Sequence, residues 1–318
     1  MVQFMIKRLI GLFVVVIGVT FITFIIGYFA PGDPITALLG QHFNQATYNA
    51  LRHAYGLDLP WWQQYFNYLH NLFTFNLGLS FAAKGRAVKD ILSAGVPISL
   101  ELGTWGLLLA VVVGIPLGIV SALKANTWVD TTNMSVMLFL FALPVFVMAV
   151  LVQIFIVWLN HVGIYWPVAN WGTPWSYTWS DIQLKLAPIL VFASGGIALF
   201  ARLTRTTMLE VLRQDYIRTA RAKGLRERAV IYRHALRNVM IPLITAISVA
   251  LGSLVGGAFF IELIFNIPGI ASIALGSVTA RDYPVIQATA VLFAITVVLG
   301  NLLADILYAV VDPRVKIE

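Results

Sequence analysis

Few residues in this chain could carry out chemistry, and their types decide what kind. Its five histidines, His42, His53, His70, His161 and His234, show no metal-ligand spacing. There is no cysteine, which removes disulfides, thiolate metal sites and cysteine nucleophiles together. The sequence holds neither a Gly-x-x-x-x-Gly-Lys-Ser/Thr phosphate loop nor a Gly-x-Gly-x-x-Gly turn after a soluble strand, which excludes ATP hydrolysis by this chain alone. No catalytic residue, metal site or resident cofactor is expected. Three carboxylates, Glu101, Glu262 and Asp305, interrupt apolar stretches, where a charge is costly enough to need a reason. Glu101, at the start of its span, is expected to reach the outer interface, and Asp305, after Asn301, reads as an interhelical hydrogen-bonding group. A proton-coupled carrier would bury more such groups across its midplane. What remains is a basic block: between Arg202 and Arg237 lie ten of the 21 lysines and arginines.

That block has the pattern of helices rather than of a plain charged loop. Leu209 to Lys223 lacks Pro and Gly, holds Ala220 and Ala222, and meets a C-terminal stop at Gly224. A second helical stretch begins near Arg226 and runs through Ile231, Tyr232, Ala235 and Leu236 toward Pro242. The two would form an elbow joined at Gly224. A positive-inside loop facing anionic lipid explains the charge. It does not explain the length, the helical pattern or the glycine-centred break, which favour an elbow that passes a push from a soluble partner into the membrane.

The elements that must carry this elbow are membrane spans. The chain is 59% hydrophobic and 11% charged, and its apolar residues come in uninterrupted runs. Crossing about 30 Å of hydrocarbon takes roughly 20 residues of helix. Six spans are expected, near residues 9–29, 100–123, 134–158, 186–204, 239–265 and 287–311, within one transmembrane domain covering 1–318. The first run follows Lys7-Arg8 and ends in Ala30-Pro31-Gly32-Asp33-Pro34, which marks a retained span rather than a cleaved leader. Residues 30–99 form a long outer loop with short surface helices, and 205–238 form the loop between spans four and five. Counting Lys and Arg on alternate segments places both termini inside: Lys7, Arg8, Lys124, the basic block, Arg314 and Lys316 fall on the inner side, and Arg52, Lys84, Arg86, Lys89, Lys185 and Arg281 on the outer. The net charge of +7 is therefore an orientation signal rather than a sign of nucleic-acid binding. In the second outer loop, Trp166, Trp171, Trp175 and Trp179 read as an aromatic belt, with docking of a partner the lesser reading. Gly114-x-x-x-Gly118 and Gly252-x-x-x-Gly256 mark helix contacts. Glu262, Phe265, Pro268 and Gly269, at the outer end of the fifth span, either shape an outer gate or close a re-entrant bend.

Taken jointly, several motifs give the chain a resemblance along nearly its whole length. They are Pro31-Gly32-Asp33-Pro34, Tyr55-Gly56-Leu57-Asp58, Asp215-Tyr216 through Ala220-Arg221-Ala222-Lys223-Gly224, and Arg233-His234-Ala235-Leu236-Arg237-Asn238. Glu262-x-x-Phe265-x-x-Pro268-Gly269, Arg281-Asp282-Tyr283-Pro284 and Asp312-Pro313-Arg314 complete the set. In these the chain resembles the inner-membrane permease subunits of ATP-binding cassette importers, in the dipeptide, oligopeptide and nickel branch. The resemblance implies an all-α integral membrane protein of six transmembrane helices with the type I importer permease fold. It also implies a cytoplasmic coupling helix between spans four and five that docks on an ATPase subunit. Asp215, Tyr216, Arg218, Thr219, Ala220, Arg221, Ala222, Lys223 and Gly224 are then the coupling residues. The general motif of such permeases is Glu-Ala-Ala, then Gly four residues after the second Ala, then Ile-x-Leu-Pro. Here Arg218, Thr219 and Ala220 occupy the first places and Gly224 the glycine, with His234-Ala235-Leu236-Arg237 where Ile-x-Leu-Pro would stand. The implied partners are a homologous second permease, two cytoplasmic ATPases that bind ATP and Mg, an external substrate-binding protein, and the lipid of a bacterial or archaeal cytoplasmic membrane. Peptides are the commonest cargo so implied, with nickel chelates, glutathione and oligosaccharides as alternatives. A stand-alone secondary transporter or channel, and a scaffold protein whose basic loop binds lipid or a soluble partner, are the rivals from other classes.

Overall fold

The computed structural model describes residues 2–29, 33–39, 44–83, 85–252, 254 and 258–311. Pro31, Gly32, His42, Lys84, Gly256, the Asp312-Pro313-Arg314 motif and Lys316 lie outside the described residues, as do the side chains of Lys7, Arg8, Pro34 and Asp305. In chain order the helices are α1 (Val2–Phe29), α2 (Pro34–Leu39), α3 (Gln45–Ala54), α4 (Trp61–Phe73), α5 (Val88–Leu123), α6 (Trp128–Ala142), α7 (Val145–His161), α8 (Trp179–Leu212), α9 (Asp215–Ala222) and α10 (Glu227–Ala229). A π-helical segment, Val230–Ala235, leads into α11 (Leu236–Gly252), followed by α12 (Phe259–Ile264), α13 (Ile270–Ala280) and α14 (Tyr283–Val311). The only pairing of extended residues among those described is an isolated bridge between Leu79 and Ala87.

Among the described residues, five helical stretches are long and apolar enough to cross a membrane, and a sixth arises if α6 and α7 count as one broken span. These two helices, expected to be a single span from 134 to 158, meet at 102°. Pro144 is the cause, because the residue before a proline is pushed out of the helical region, and Leu143 accordingly stands at ψ 124°. Two other elements outrun the apolar signal. Helix α5 begins at Val88, well before residue 100, because its first turns are two-sided: Val88 and Leu92 are buried while Lys89 and Asp90 face solvent. Helix α8 starts at Thr178, whose hydroxyl accepts from the Asp181 backbone in a capping box, and continues to Leu212. The fifth apolar stretch runs Glu227–Gly252 rather than over 239–265, and Phe259–Ile264 is described as the further helix α12.

The chain divides into two compact units, Met1–Ile98 with Pro268–Thr296, and Ser99–Ile267 with Val297–Glu318. In the first, α4 packs on α1 through Tyr65, whose hydroxyl donates to the Ile17 carbonyl at 3.2 Å and lies 3.2 Å from Thr20 Oγ1. The Phe21 and Phe24 rings flank it, with centroids 5.4 and 5.3 Å away. At the start of α14, buried Asp282 accepts from the Ser80 hydroxyl and from the backbone N–H groups of Phe81 and Ala82, at 3.0 and 3.2 Å for the last two. A single carboxylate thereby pins a loop about 200 positions away in sequence.

In the second unit, α5 and α8 approach closely because Gly114 and Gly118 present no side chain. A Cβ on Gly114 would stand 2.8 Å from the Ile197 carbonyl oxygen, and one on Gly118 would run into Ala201. Gly252 meets Gly300 of α14.

The same unit overturns the expectation for Glu101. Its side chain is fully buried and pairs with Lys185 at 2.8 Å. The other carboxylate oxygen accepts from Trp171 Nε1 and from the Trp175 backbone, both at 2.9 Å. Lys185 spends its remaining donors on the Thr173 and Ser176 carbonyls at 2.8 and 2.7 Å. Each oxygen and each proton of the pair has a partner, which is the condition for tolerating two desolvated charges. Trp171 is therefore a buried donor rather than a member of an interfacial belt, while Trp175 and Trp179 remain exposed.

Candidate functional site

The basic block folds as an elbow with the expected break at Gly224 and a second one before it, so that Leu209 to Lys223 is two helices rather than one. Helix α8 ends at Leu212, and Gln214, in an extended conformation at ψ 149°, precedes the separate eight-residue α9. Asp215 sits in the first turn of α9, where a carboxylate complements the helix dipole. Two apolar residues on this otherwise polar helix, Ile217 and Ala220, are buried. They join Met208 of α8, Val230, Ile231 and Ala235 of the π segment, and Val239 and Leu243 of α11 in one core. The elbow is thus packed against the two spans that flank it.

Gly224 ends α9 in the left-handed region at φ +75°. Its N–H donates to the Arg221 carbonyl at 2.9 Å, and Leu225 N–H donates to that of Ala220 at 3.4 Å, the paired bonds of a Schellman cap. Nothing lies within 4 Å of where a Cβ on Gly224 would be, so backbone conformation alone calls for glycine here.

Beyond the cap, Arg221 bonds Glu227 through both nitrogens, Nη2 to Oε1 at 2.7 Å and Nε to Oε2 at 3.2 Å. That carboxylate raises the Arg221 pKa above the ordinary guanidinium value. Tyr216, half exposed, accepts from the Asn238 amide at 2.6 Å and so ties α9 to α11. Arg218 makes only a loose, exposed contact with Asp215 at 3.6 Å.

Of the sequence-predicted coupling residues, Asp215, Tyr216, Arg218, Thr219, Arg221, Ala222, Lys223 and Gly224 all reach solvent. Ala220 faces inward and can only position the others. Ile217, Glu227 and Asn238 were missed. Ile217 and Ala220 stand three apart, the spacing of one helical face, and that apolar pair was the readable clue. Glu227 and Asn238 gave none, because their partners depend on how the chain folds back.

Of the outer-gate candidates, Glu262 and Phe265 lie in the second unit and Pro268 and Gly269 in the first. Glu262 is buried and accepts from the Ser99 hydroxyl at 2.6 Å, and Phe265 is buried beside it in the chain. The turn falls at Asn266, at φ +49°, where Ile267 N–H returns to the Glu262 carbonyl at 2.8 Å. Pro268 and Gly269 lie beyond it, and Gly269 is the N-cap position of α13. Gln153 of α7 donates to the Ile264 carbonyl at 2.6 Å, and Asn170 N–H to that of Phe265 at 2.9 Å.

Two family models match the chain. The model of the binding-protein-dependent transport system inner membrane component matches residues 114–317, and that of the N-terminal part of such membrane components matches residues 1–102. The chain belongs to this family, the multi-pass permease subunits of ATP-binding cassette importers.

Its relatives include the dipeptide transport system permease protein DppB of Bacillus subtilis, 38% identical over 100% of this chain and 99% of that one. The oligopeptide transport system permease protein AppB of the same organism is 35% identical over 99% and 100%. The glutathione transport system permease protein GsiC of Escherichia coli is 34% identical over 99% of each. Among solved structures, an inward-facing form of the MetNI methionine ABC transporter matches with a TM-score of 0.57 at 19% identity, covering 70% of this chain and 96% of that one. That likeness bears on the fold alone.

Proposed function

We propose that this chain forms half of the translocation pathway of an ATP-driven importer of di- or oligopeptides, and that the α9 elbow receives the force. The observation that carries the mechanical part is the shared core of Ile217 and Ala220 with Met208, Val230 and Leu243, which links an exposed basic surface to two spans without a flexible joint. In this reading Tyr216, Arg218, Thr219, Arg221, Ala222, Lys223 and Gly224 meet a groove on an ATPase subunit. Two ATPases bind ATP and Mg, a homologous second permease completes the pathway, and an external binding protein delivers cargo. Both termini are cytoplasmic. Glu262 and Phe265, held by Ser99 and by the Gln153 and Asn170 bonds, form part of an outer gate. The names of the relatives support peptides, dipeptides first, with glutathione as the related alternative.

ATP binding would close the ATPases, draw both elbows together, and open the cavity outward to accept cargo. This chain supplies no catalysis. An Arg221→Glu, Lys223→Glu variant, reconstituted with all partners, is expected to keep basal ATPase activity and to lose peptide uptake by about tenfold or more, since reversed charges at a docking surface cost several kcal/mol. Uptake and substrate-stimulated ATPase equal to wild type would remove the elbow from the coupling path. Transport by this chain without ATPases would favour a stand-alone carrier instead.

A further inference from the structure

The first unit contains a cavity of about 570 Å³, inside the roughly 300–1,000 Å³ range of small-ligand sites. It is walled by α1, α3, α4, the 76–81 segment and the start of α14. We infer that this cavity binds the backbone of a short peptide, taking its amide groups through Tyr68, Asn71, Asn76 and Gln287 and its apolar side chains against Phe24 and Tyr283. The inference rests on the peptide reading above and names a site for that cargo outside the coupling elbow.

Three observations carry it. The Tyr68 hydroxyl is buried and has no hydrogen-bond partner among the described residues. Leaving such a group unpaired costs about 1–3 kcal/mol, so a partner from a ligand is worth more here than at a wet surface. Burial also raises the Tyr68 pKa well above the ordinary phenol range, which keeps it an O–H donor. Second, Asn71, Asn76 and Gln287 line the cavity and make no side-chain hydrogen bond among the described residues. A primary amide offers both donors and an acceptor, which is what the alternating N–H and C=O groups of a peptide require.

Third, the lining carries one charge of each sign, Asp33 and Arg52, on either side of Tyr48. Asp33 accepts from the Tyr48 hydroxyl, which also bonds Arg52. The rest of the polar lining is neutral amide and phenol groups, and one charge of each sign beside them suits the two termini of a short zwitterionic peptide. The Asp282 carboxylate, by pinning Ser80, Phe81 and Ala82, fixes the wall that carries Leu79 and Phe81 before any ligand arrives. Preorganisation of this kind lowers the ordering cost of binding. Because its contacts go to backbone groups, the site tolerates many side chains.

The test uses the purified complex of both permeases and both ATPases in detergent, without the binding protein, and tritiated alanyl-phenylalanine as probe. Equilibrium dialysis should give saturable binding that unlabelled short peptides displace and cellotriose does not. Tyr68→Phe should weaken binding by about 2- to 12-fold, the range of one hydrogen bond, and leave the thermal midpoint of the complex unchanged, since the hydroxyl has no partner among the described residues. Asn71→Ala with Gln287→Ala should weaken it by about 5- to 150-fold, two such bonds being lost.

Wild-type affinity in both variants, or displacement by cellotriose, would overturn the inference. A second arm separates it from the functional reading. Proteoliposomes supplied with the binding protein should take up the same peptide. Uptake together with unaltered binding in the variants overturns the cavity site alone. Variant-sensitive binding with no peptide uptake by wild type supports the site and overturns the importer's assigned cargo.

Discussion

Gly224 is the residue whose identity is most tightly dictated. Its φ of +75° costs an L-residue about 1–2 kcal/mol, while the open space around it adds no clash. Gly224→Ala is therefore expected to loosen the elbow without unfolding the spans. Hydrogen exchange at Leu225 should rise by about tenfold, the equivalent of roughly 1.4 kcal/mol, with Gly224→Asn milder because asparagine tolerates this region. The pair His53–Asp58, at 2.7 Å, gives a pH dependence. The hydrogen bond to Asp58 raises the His53 pKa, and the same bond lowers that of Asp58. His53 contributes fully below its unfolded value and loses its contribution as pH rises through the raised one. Asp58 contributes above its unfolded value and loses it as pH falls through the lowered one. The contact is strongest between about pH 4 and 6.5, the two ordinary values. An NMR titration of labelled His53 should give a midpoint above 6.5 that returns to about 6.5 in Asp58→Asn.

At the scale of elements, the sequence made some features plain and hid others for physical reasons. The long apolar runs and the glycine-ended basic helix were readable because periodicity and φ preference are local properties. The Pro144 break was equally local, yet the apolar run from 134 to 158 masks it, since hydropathy averages over a bend. The roles of Glu101 and Lys185 could not be read at all. A carboxylate near a span end and a lysine in an outer loop look like surface charges until the fold brings them to 2.8 Å. The Gly114-x-x-x-Gly118 spacing is common in sequences, and only the approach of α8 gives it content. Gly114→Val should push α5 from Ile197 and Phe200 and lower the thermal midpoint of the complex by several degrees, since overpacking costs about 1–3 kcal/mol. A midpoint unchanged in scanning fluorimetry would mean the helices can separate there freely.

For the whole molecule, the elbow is the surface on which the proposed partners can be tested. The chain carries no phosphate loop and shows, among the described residues, no group of ligands able to hold a metal ion. It does present an exposed cationic elbow backed by a continuous core. Co-purification from a membrane extract is expected to recover ATPases and a second permease in fixed ratio. A partner-free homo-oligomer would be the contrary result. Salt should weaken the ATPase contact more than the permease contact, because exposed charges are screened over about 10 Å at 0.1 M and a buried packed interface is not.

The buried pair of Glu101 and Lys185 has a consequence for descent. Removing either partner strands the other charge, at a cost of about 3–5 kcal/mol, whereas neutralising both leaves no charge stranded, and an amide at position 101 can still accept from Trp171 and Trp175. Lys185→Met alone should therefore destabilise the complex, and Glu101→Gln with Lys185→Met should recover most of the loss in the same melting experiment. A lineage can leave this arrangement only by crossing that valley, so substitutions at positions 101 and 185 are expected to arrive together, with position 171 freed to change after them.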